Sequence, residues 1–459
     1  MNSEQITFRE KRTALKLAMR VVFLTVISEP LSHLSIAAED ARVLPSGRSR
    51  FSMIYGRTEK ITNNFNPQGQ SESITQPYNL ELGSQNLRRA DERITQLVDY
   101  LNGPETFGLR YDVNQRSTSN KGIILSDNSS LPKLGDALSR GFLNVGAEAH
   151  REQYNLAYQY GISSRLTMGF TVPFIRGRVD VTKSINGPNT AQDIYQGFLA
   201  RDPGRYQSLI DALGLIQSTS TETLQDVLTA KGYTRFENYK VEGFGDLVFG
   251  GRLKLVDTEN SSGEWVDSVQ MGATVPTGRL KSPSQITAMD LGDGAWDVGA
   301  AHILNYRPHW RVLFSNSVNY TYRFSSNRAL RVRENADDFL PDSNSEELVK
   351  SRLGNKFWTV AGLKFLATQA ISLDCSYEWY WKGLDRFQGS RPKDYSYLSE
   401  NTDTYKETLQ IGASISSIPS FLKSDFPVPG DLSLNYYRPF RGRNTPIAPY
   451  FTAELALYF

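Results

Sequence analysis

A chain of 459 residues with 22% charged side chains and a formal net charge of +2 has room for two or three soluble domains or one large barrel. Its mean hydropathy is −0.42, and no apolar run reaches the roughly 18 residues a membrane helix needs, which excludes helical spans but not spans built from half-apolar strands. A single cysteine, Cys375, excludes an internal disulfide, and the even charge balance leaves no basic stripe for nucleic acid.

Residues 1–38 read as an export signal. Arg9, Lys11, Arg12, Lys16 and Arg20 precede the apolar stretch Val21–Ile27, and Ser35-Ile-Ala-Ala38 offers a small-residue cleavage site before Glu39. Removing its five basic and three acidic residues leaves 46 of each sign, so the basic pI of the whole chain belongs mainly to the signal. Residues 39–459 then form the mature body.

Strands follow in pairs. Residues 50–60 carry Phe51, Met53 and Tyr55 on one face, as the two-residue period of a strand requires. Residues 61–142 form a long loop or a plug, with an amphipathic helix near 85–101 and short strand pieces at 106–112 and 122–125. The clearest hairpin is 142–160 with 166–181, turning at Gly161–Ser164; Pro173, which has no ladder donor, marks a bulge or a local break. Residues 182–239 show helical spacing at 191–199, 206–216 and 223–230 and form a helical external loop. The remaining strands are 243–256, 265–277, 295–306, 310–324, 357–367, 371–382, 405–416, 432–440 and 450–459.

The last strand alternates without a break to the final residue, with Phe451, Ala453, Leu455, Leu457 and Phe459 on one face. It resembles the C-terminal strand of bacterial outer-membrane barrels, and that resemblance implies that Phe451, Leu455, Leu457 and Phe459 form the tag read by the barrel-assembly machinery. Twelve strands also satisfy parity. If the first runs outward, both termini are periplasmic, the long connections at 182–239, 278–294, 325–354 and 383–403 are external, and the turns at 161–164, 257–264, 307–309 and 368–370 are periplasmic. Only 417–431 is long for its side. The fold expected is therefore all-β: a transmembrane antiparallel up-and-down β-barrel of about 12 strands, or 14 if 106–125 adds a hairpin, with helical insertions in long loops.

Four stretches resemble a family of outer-membrane transporters linked to the MetA pathway of phenol degradation. They are Tyr160–Phe174, with its Tyr-Gly turn, Gly243-Phe-Gly-Asp246 and its continuation to Arg252, Val275-Pro-Thr-Gly278, and Leu291-Gly-Asp-Gly-Ala-Trp-Asp-Val298. The fatty-acid and aromatic channel superfamily is a looser relation. The resemblance implies a roughly twelve-stranded barrel that takes up small hydrophobic or aromatic compounds, with outer-membrane lipids around it and no catalytic residues. The insertions at 61–142 and 182–239 depart from the family pattern.

If the apolar rows face lipid, the opposite rows face the lumen and bring Arg252, Lys254, Asp297, Arg311, Lys364, Asp374, Glu378 and Glu454 inside. Charge at that depth must be paired or watered, so these residues either hold a narrow lumen shut or line a wet path. Asp374 and Glu378 are expected to pair with Lys364, and Glu454 with Lys364 or Arg252. No nucleophile accompanies His150, His302 lies on the nominal outward row as an interfacial residue or a sign of misregister, and no spacing suits a metal or a cofactor. The function expected is a passive channel; the alternatives are a structural or partner-binding barrel and, last, a rim-sited hydrolase.

Overall fold

A computed structural model describes residues 41–90, 92–106, 108–217, 220–334 and 340–459. The expected export signal at 1–38 lies outside them. The chain divides into two compact units, one drawn from Met1–Ile74, Ala147–Asp180 and Lys231–Phe459, the other from Thr75–Gly146 and Val181–Ala230.

The first unit is a closed antiparallel barrel of twelve strands. They are β1 (Ser49–Thr58), β2 (Ser139–Gly161), β3 (Leu166–Asn186), β4 (Leu247–Asn260), β5 (Gly263–Val275), β6 (Asp297–His309), β7 (Val312–Arg323), β8 (Lys356–Leu366), β9 (Ile371–Lys382), β10 (Thr404–Ser416), β11 (Gly430–Arg443) and β12 (Tyr450–Tyr458). The far ends of β2 and β3 belong to the second unit. Each strand pairs with its chain neighbours, and β1 pairs with β12 to close the ring. At that seam Phe51 lies opposite Leu457 and Met53 opposite Leu455 on the outside, while Ile54 meets Glu454 and Gly56 meets Thr452 on the inside.

The alternation expected from a two-residue period is present around the wall. Leu156, Met168, Phe249, Phe314, Leu363, Leu373, Ile411, Leu434 and Phe451 are exposed, whereas their strand neighbours Asn155, Thr167, Ser315, Ser372, Gln410, Asn435 and Thr452 are buried. Apolar outside and polar inside is the inverse of a soluble barrel, and it is stable only where the outer rows meet hydrocarbon. Aromatic pairs lie toward the ends of the outer rows, among them Trp265 stacked on Tyr306 at 4.1 Å and Tyr322 edge-on to Phe324 at 5.1 Å. This is a transmembrane barrel, and a closed barrel with an apolar belt belongs in an outer membrane.

One end of the barrel carries the tight turns at 162–165, 261–262, 310–311 and 367–370, the connection at 417–429 with its short helix Ile418–Leu422, and both ends of the ring. The other end carries 59–138, 187–246, 276–296, 324–355 and 383–403, with only 444–449 short. Connection length thus segregates by end.

Three differences from the sequence expectation have local causes. The strand expected over 243–256 is broken at Gly245 and Asp246. Tyr239–Phe244 pairs with the outer part of β3, Phe174 facing Phe244, while β4 takes over from Val248 opposite Thr171. The handover sits at Pro173, which cannot donate to a ladder and whose carbonyl accepts the Gly245 N–H at 2.9 Å. The turn expected at Arg307–His309 lies one step later, at Trp310 and Arg311, after an irregularity between Tyr306 and His309. Finally, residues 106–125 do not enter the wall: Leu109–Tyr111 and Ile123–Leu125 form a separate two-stranded sheet. The ring stays at twelve.

The second unit is built around one apolar core. Val98 and Leu101 of helix Glu92–Asn102, Ile194 and Phe198 of helix Thr190–Arg201, and Leu213 of helix Gln207–Gln217 are buried together. Most of 61–142 and most of 182–239, separate in the sequence, therefore fold as one body. Inside it the Tyr111 hydroxyl donates to Asp193 at 2.8 Å, and Arg116 pairs with the same carboxylate at 2.7 Å.

Candidate functional site

The charged residues expected on the inner rows form a different set of pairs from the one expected. The Arg252 guanidinium donates to Gln270 at 2.7 Å, and Lys254 pairs with Asp257 at 2.5 Å. Asp297 accepts from Arg323 at 3.3 Å. Lys364 and Asp374 are register partners, and Asp374 accepts a hydrogen bond from Gln410 at 3.2 Å. Two pairings are corrected. Glu378 meets Lys406 of β10 at 3.3 Å, not Lys364, and Glu454 meets Arg50 of β1 at 2.7 Å, not Lys364 or Arg252. Both real partners lie on the next strand around the ring, which only the register reveals. Arg311 is also corrected. It is exposed in the turn after β6, with its guanidinium 4.7 Å from the Trp310 ring centre, and does not line the lumen.

Uncharged polar residues fill the inner rows between these pairs. Ser376 donates to Gln410 at 2.7 Å, and Gln410 donates to Asn435 at 3.1 Å. Tyr437 and Tyr450 stack inside with ring centres 4.3 Å apart. Ser268, Ser317, Thr408 and Asn319 are all nearly inaccessible. The Asn319 amide donates to the Ser317 hydroxyl at 3.1 Å, whereas the buried Ser268 and Thr408 hydroxyls have no hydrogen-bond partner among the described residues.

At the end with long connections, three of the sequence stretches singled out above converge. Asp246 accepts the Gly278 N–H at 2.8 Å on one carboxylate oxygen and the Asp293 N–H at 2.6 Å on the other. The Thr277 hydroxyl donates to the Gly245 carbonyl at 2.8 Å and accepts the Leu247 N–H at 3.1 Å. Gly245-Asp246, Thr277-Gly278 and Gly292-Asp293 are thus tied into one knot. Its two glycines are needed for close approach: a β-carbon on Gly278 would lie 2.7 Å from the Gly292 Cα, and one on Gly292 would lie 2.2 Å from the Asp246 carboxylate.

The knot anchors the 276–296 connection, which folds inward instead of projecting away. Ile286, Thr287, Ala288, Met289, Asp290 and Leu291 are all buried. Met289 packs where β3 has only Gly177 and beside Val241, and Leu291 packs at Gly243. Beyond the knot, Asp293 forms a short ion pair with Arg323 and lies 3.3 Å from Lys356, the innermost residues at this end of β7 and β8; its carbonyl accepts from Arg328 at 2.7 Å. Arg323 and Lys356 are 1% and 5% exposed. Burial alone would raise the Asp293 pKa, but Arg323, Lys356 and Arg328 outweigh it and hold the carboxyl far below the ordinary range. Burial raises Asp246, and the two N–H groups it accepts only partly offset this. Burial likewise lowers Lys281, against the pull of Asp290.

A second inward contact, which the sequence reading missed, lies at the end with short turns. Ala41 is fully buried against Val266, Ala301 and Ile303 of the inner rows. Arg42 forks onto Glu264 at 2.6 and 2.8 Å, and the Leu44 N–H donates to Thr167 at 2.8 Å. The segment before β1 therefore runs inside the wall. Its sequence carries no periodic signal, because individual side-chain and backbone contacts hold it and not a ladder.

No known family profile matches the sequence, and no curated protein matches it. Solved structures of similar architecture exist. An outer-membrane channel from Pseudomonas putida F1 is 11% identical over 92% of this chain and 100% of its own, with a TM-score of 0.48. A FadL homologue from Pseudomonas aeruginosa is 8% identical over 90% of each chain, with a TM-score of 0.32, and the Ralstonia pickettii toluene transporter TbuX is 7% identical over 90% of each chain, also with a TM-score of 0.32.

Proposed function

We propose that this protein is a passive channel of the outer membrane whose mouth is gated by the 276–296 connection. The observation that carries this reading is the inward fold of that connection, tied by the Asp246 knot and pinned by Asp293 to Arg323 and Lys356. A barrel needed only as a wall has no use for a buried, charge-locked loop in its mouth; a barrel that opens does. The solute class follows from the sequence resemblance: small hydrophobic or aromatic compounds. The inner rows support the aromatic class, since the stacked Tyr437 and Tyr450 lie among hydroxyls and amides suited to a ring bearing a polar group.

In this reading Arg252, Lys254, Asp297, Lys364, Asp374, Glu378 and Glu454 set the polarity of the path. Residues 1–38 direct export, and Phe451, Leu455, Leu457 and Phe459 form the tag for the assembly machinery. Residues 61–142 serve as a long loop or plug and 182–239 as a helical external loop. The test is solute uptake by liposomes and single-channel conductance for the whole protein and for Asp293→Asn. Small conductance in the parent and larger, more frequent openings in the variant are expected. Closed behaviour in both, and after joint removal of 84–138 and 187–230, would sink the channel.

One observation favours a non-transporting barrel. The inner rows are buried deeply enough to act as a solid core. The same conductance record decides between the two readings, because a solid core stays silent whichever loop is cut.

A further inference from the structure

The apolar belt is interrupted on the outer faces of β5, β6 and β7. His302 Nε2 lies 2.8 Å from Asp267 Oδ1, and both side chains reach the outside, 50% and 25% exposed. Misregister does not explain this. The β5–β6 ladder runs unbroken from Thr274 opposite Asp297 to Glu264 opposite Arg307, with His302 facing Val269, and the next ladder puts His302 opposite Val318. Asp267 faces Leu304, Leu304 faces Asn316, and Asn316 faces Ala361, so a third polar side chain, exposed Asn316, completes the patch.

Depth makes the patch costly. On β6 the outward row runs Trp296, Val298, Ala300, His302, Leu304, Tyr306, so aromatic residues of interfacial type bracket the histidine on both sides. Tyr306 is itself stacked on Trp265. His302 therefore lies within the hydrocarbon belt, where an ionisable pair turned to lipid is disfavoured. The neighbouring outward residues Ala300 and Ala361 are small and exposed, which lets another wall approach closely.

We propose that this face is the interface between two copies of this barrel, related by a two-fold axis along the membrane normal. Such an axis keeps every residue at its own depth and needs a surface complementary to itself. A histidine beside an aspartate meets that need: His302 of one copy can pair with Asp267 of the other, and the reverse, so both leave lipid together. The Asn316 amide, both donor and acceptor, can pair with its own counterpart.

The test uses the full-length protein in native outer membranes. Cys375, exposed on the outer face of β9, is first changed to Ser. Asn316→Cys in that background should give a dimer with a short thiol cross-linker, while Leu434→Cys, on the outer row of β11 across the ring, should not. In mild detergent the parent should have the mass of two chains. The double variant His302→Leu with Asp267→Leu should have the mass of one, its folding checked by the mobility shift between unheated and heated samples on a gel. Should the double variant fail that check, Ala300→Trp, which blocks close approach and leaves the pair in place, should also give the mass of one chain. A parent of one-chain mass, equal cross-linking at 316 and 434, or a dimer that survives Ala300→Trp would each overturn the interface.

Discussion

Asp293 is the residue on which the gate turns. Removing its carboxylate in Asp293→Ala takes an ion partner from Arg323, 1% exposed, and from Lys356. Breaking a buried pair from one side costs about 3–5 kcal/mol, so the variant should unfold at a lower temperature on a heat-modifiability gel and show more open time in single-channel records. The pH dependence has a definite sign. A carboxyl held far below its ordinary value contributes stability that is fully present above the unfolded value, about 3.9 for aspartate, and is lost only as pH falls through the depressed folded value. The Asp293 contribution to the closed mouth should therefore hold unchanged from about pH 8 to 5. A gate that titrates open near the ordinary carboxylate value would show that Asp293 is not its anchor.

The elements separate what periodicity can encode from what it cannot. Each wall strand was legible because lipid outside and a polar lumen inside impose the same two-residue alternation on every one of them, and the expected ranges fall within a few residues of those observed. Register was not legible. Nothing near Glu378 or Glu454 in the chain points to Lys406 or Arg50, which lie one strand away around the ring. The knot was half legible: Gly-Asp246, Pro-Thr-Gly278 and Leu-Gly-Asp293 stood out as motifs, but their convergence depends on the fold of a loop with no period of its own. Gly278→Ala tests it, since the added carbon meets backbone, not a flexible side chain. That variant should free the loop and make it cleavable by trypsin after Lys281 while leaving the wall intact. At the seam, Glu454→Gln should cost about 1 kcal/mol, because the pair with Arg50 is only partly shielded. Exchanging the two residues, Arg50→Glu with Glu454→Arg, should restore most of the loss in the heat-modifiability assay.

At the scale of the whole chain, the barrel and the second unit have separate cores, and this decides how the insertions should be removed. Deleting 182–239 alone strips Ile194, Phe198 and Leu213 from Val98 and Leu101 and leaves half a core in water. It also takes Tyr239 and the approach to the strand beside β3. A cleaner variant deletes 84–138 and 187–230 together. Gly83, at the end of the short strand Leu80–Gly83, is the register partner of Ser139 of β2, so a tight turn spans the first gap, and a glycine linker joins Asn186 to Lys231 across the second. The wall pairings from Glu152 to Tyr160 and from Leu166 to Thr171 are untouched. The variant should reach the outer membrane and keep its heat-modifiable shift, because closure depends on β1 meeting β12 and not on the insertions. Its conductance then divides the remaining possibilities. A silent barrel leaves the 276–296 connection as the closure, and adding Asp293→Asn to the same background should open it. A barrel already open would remove the gating role from the knot.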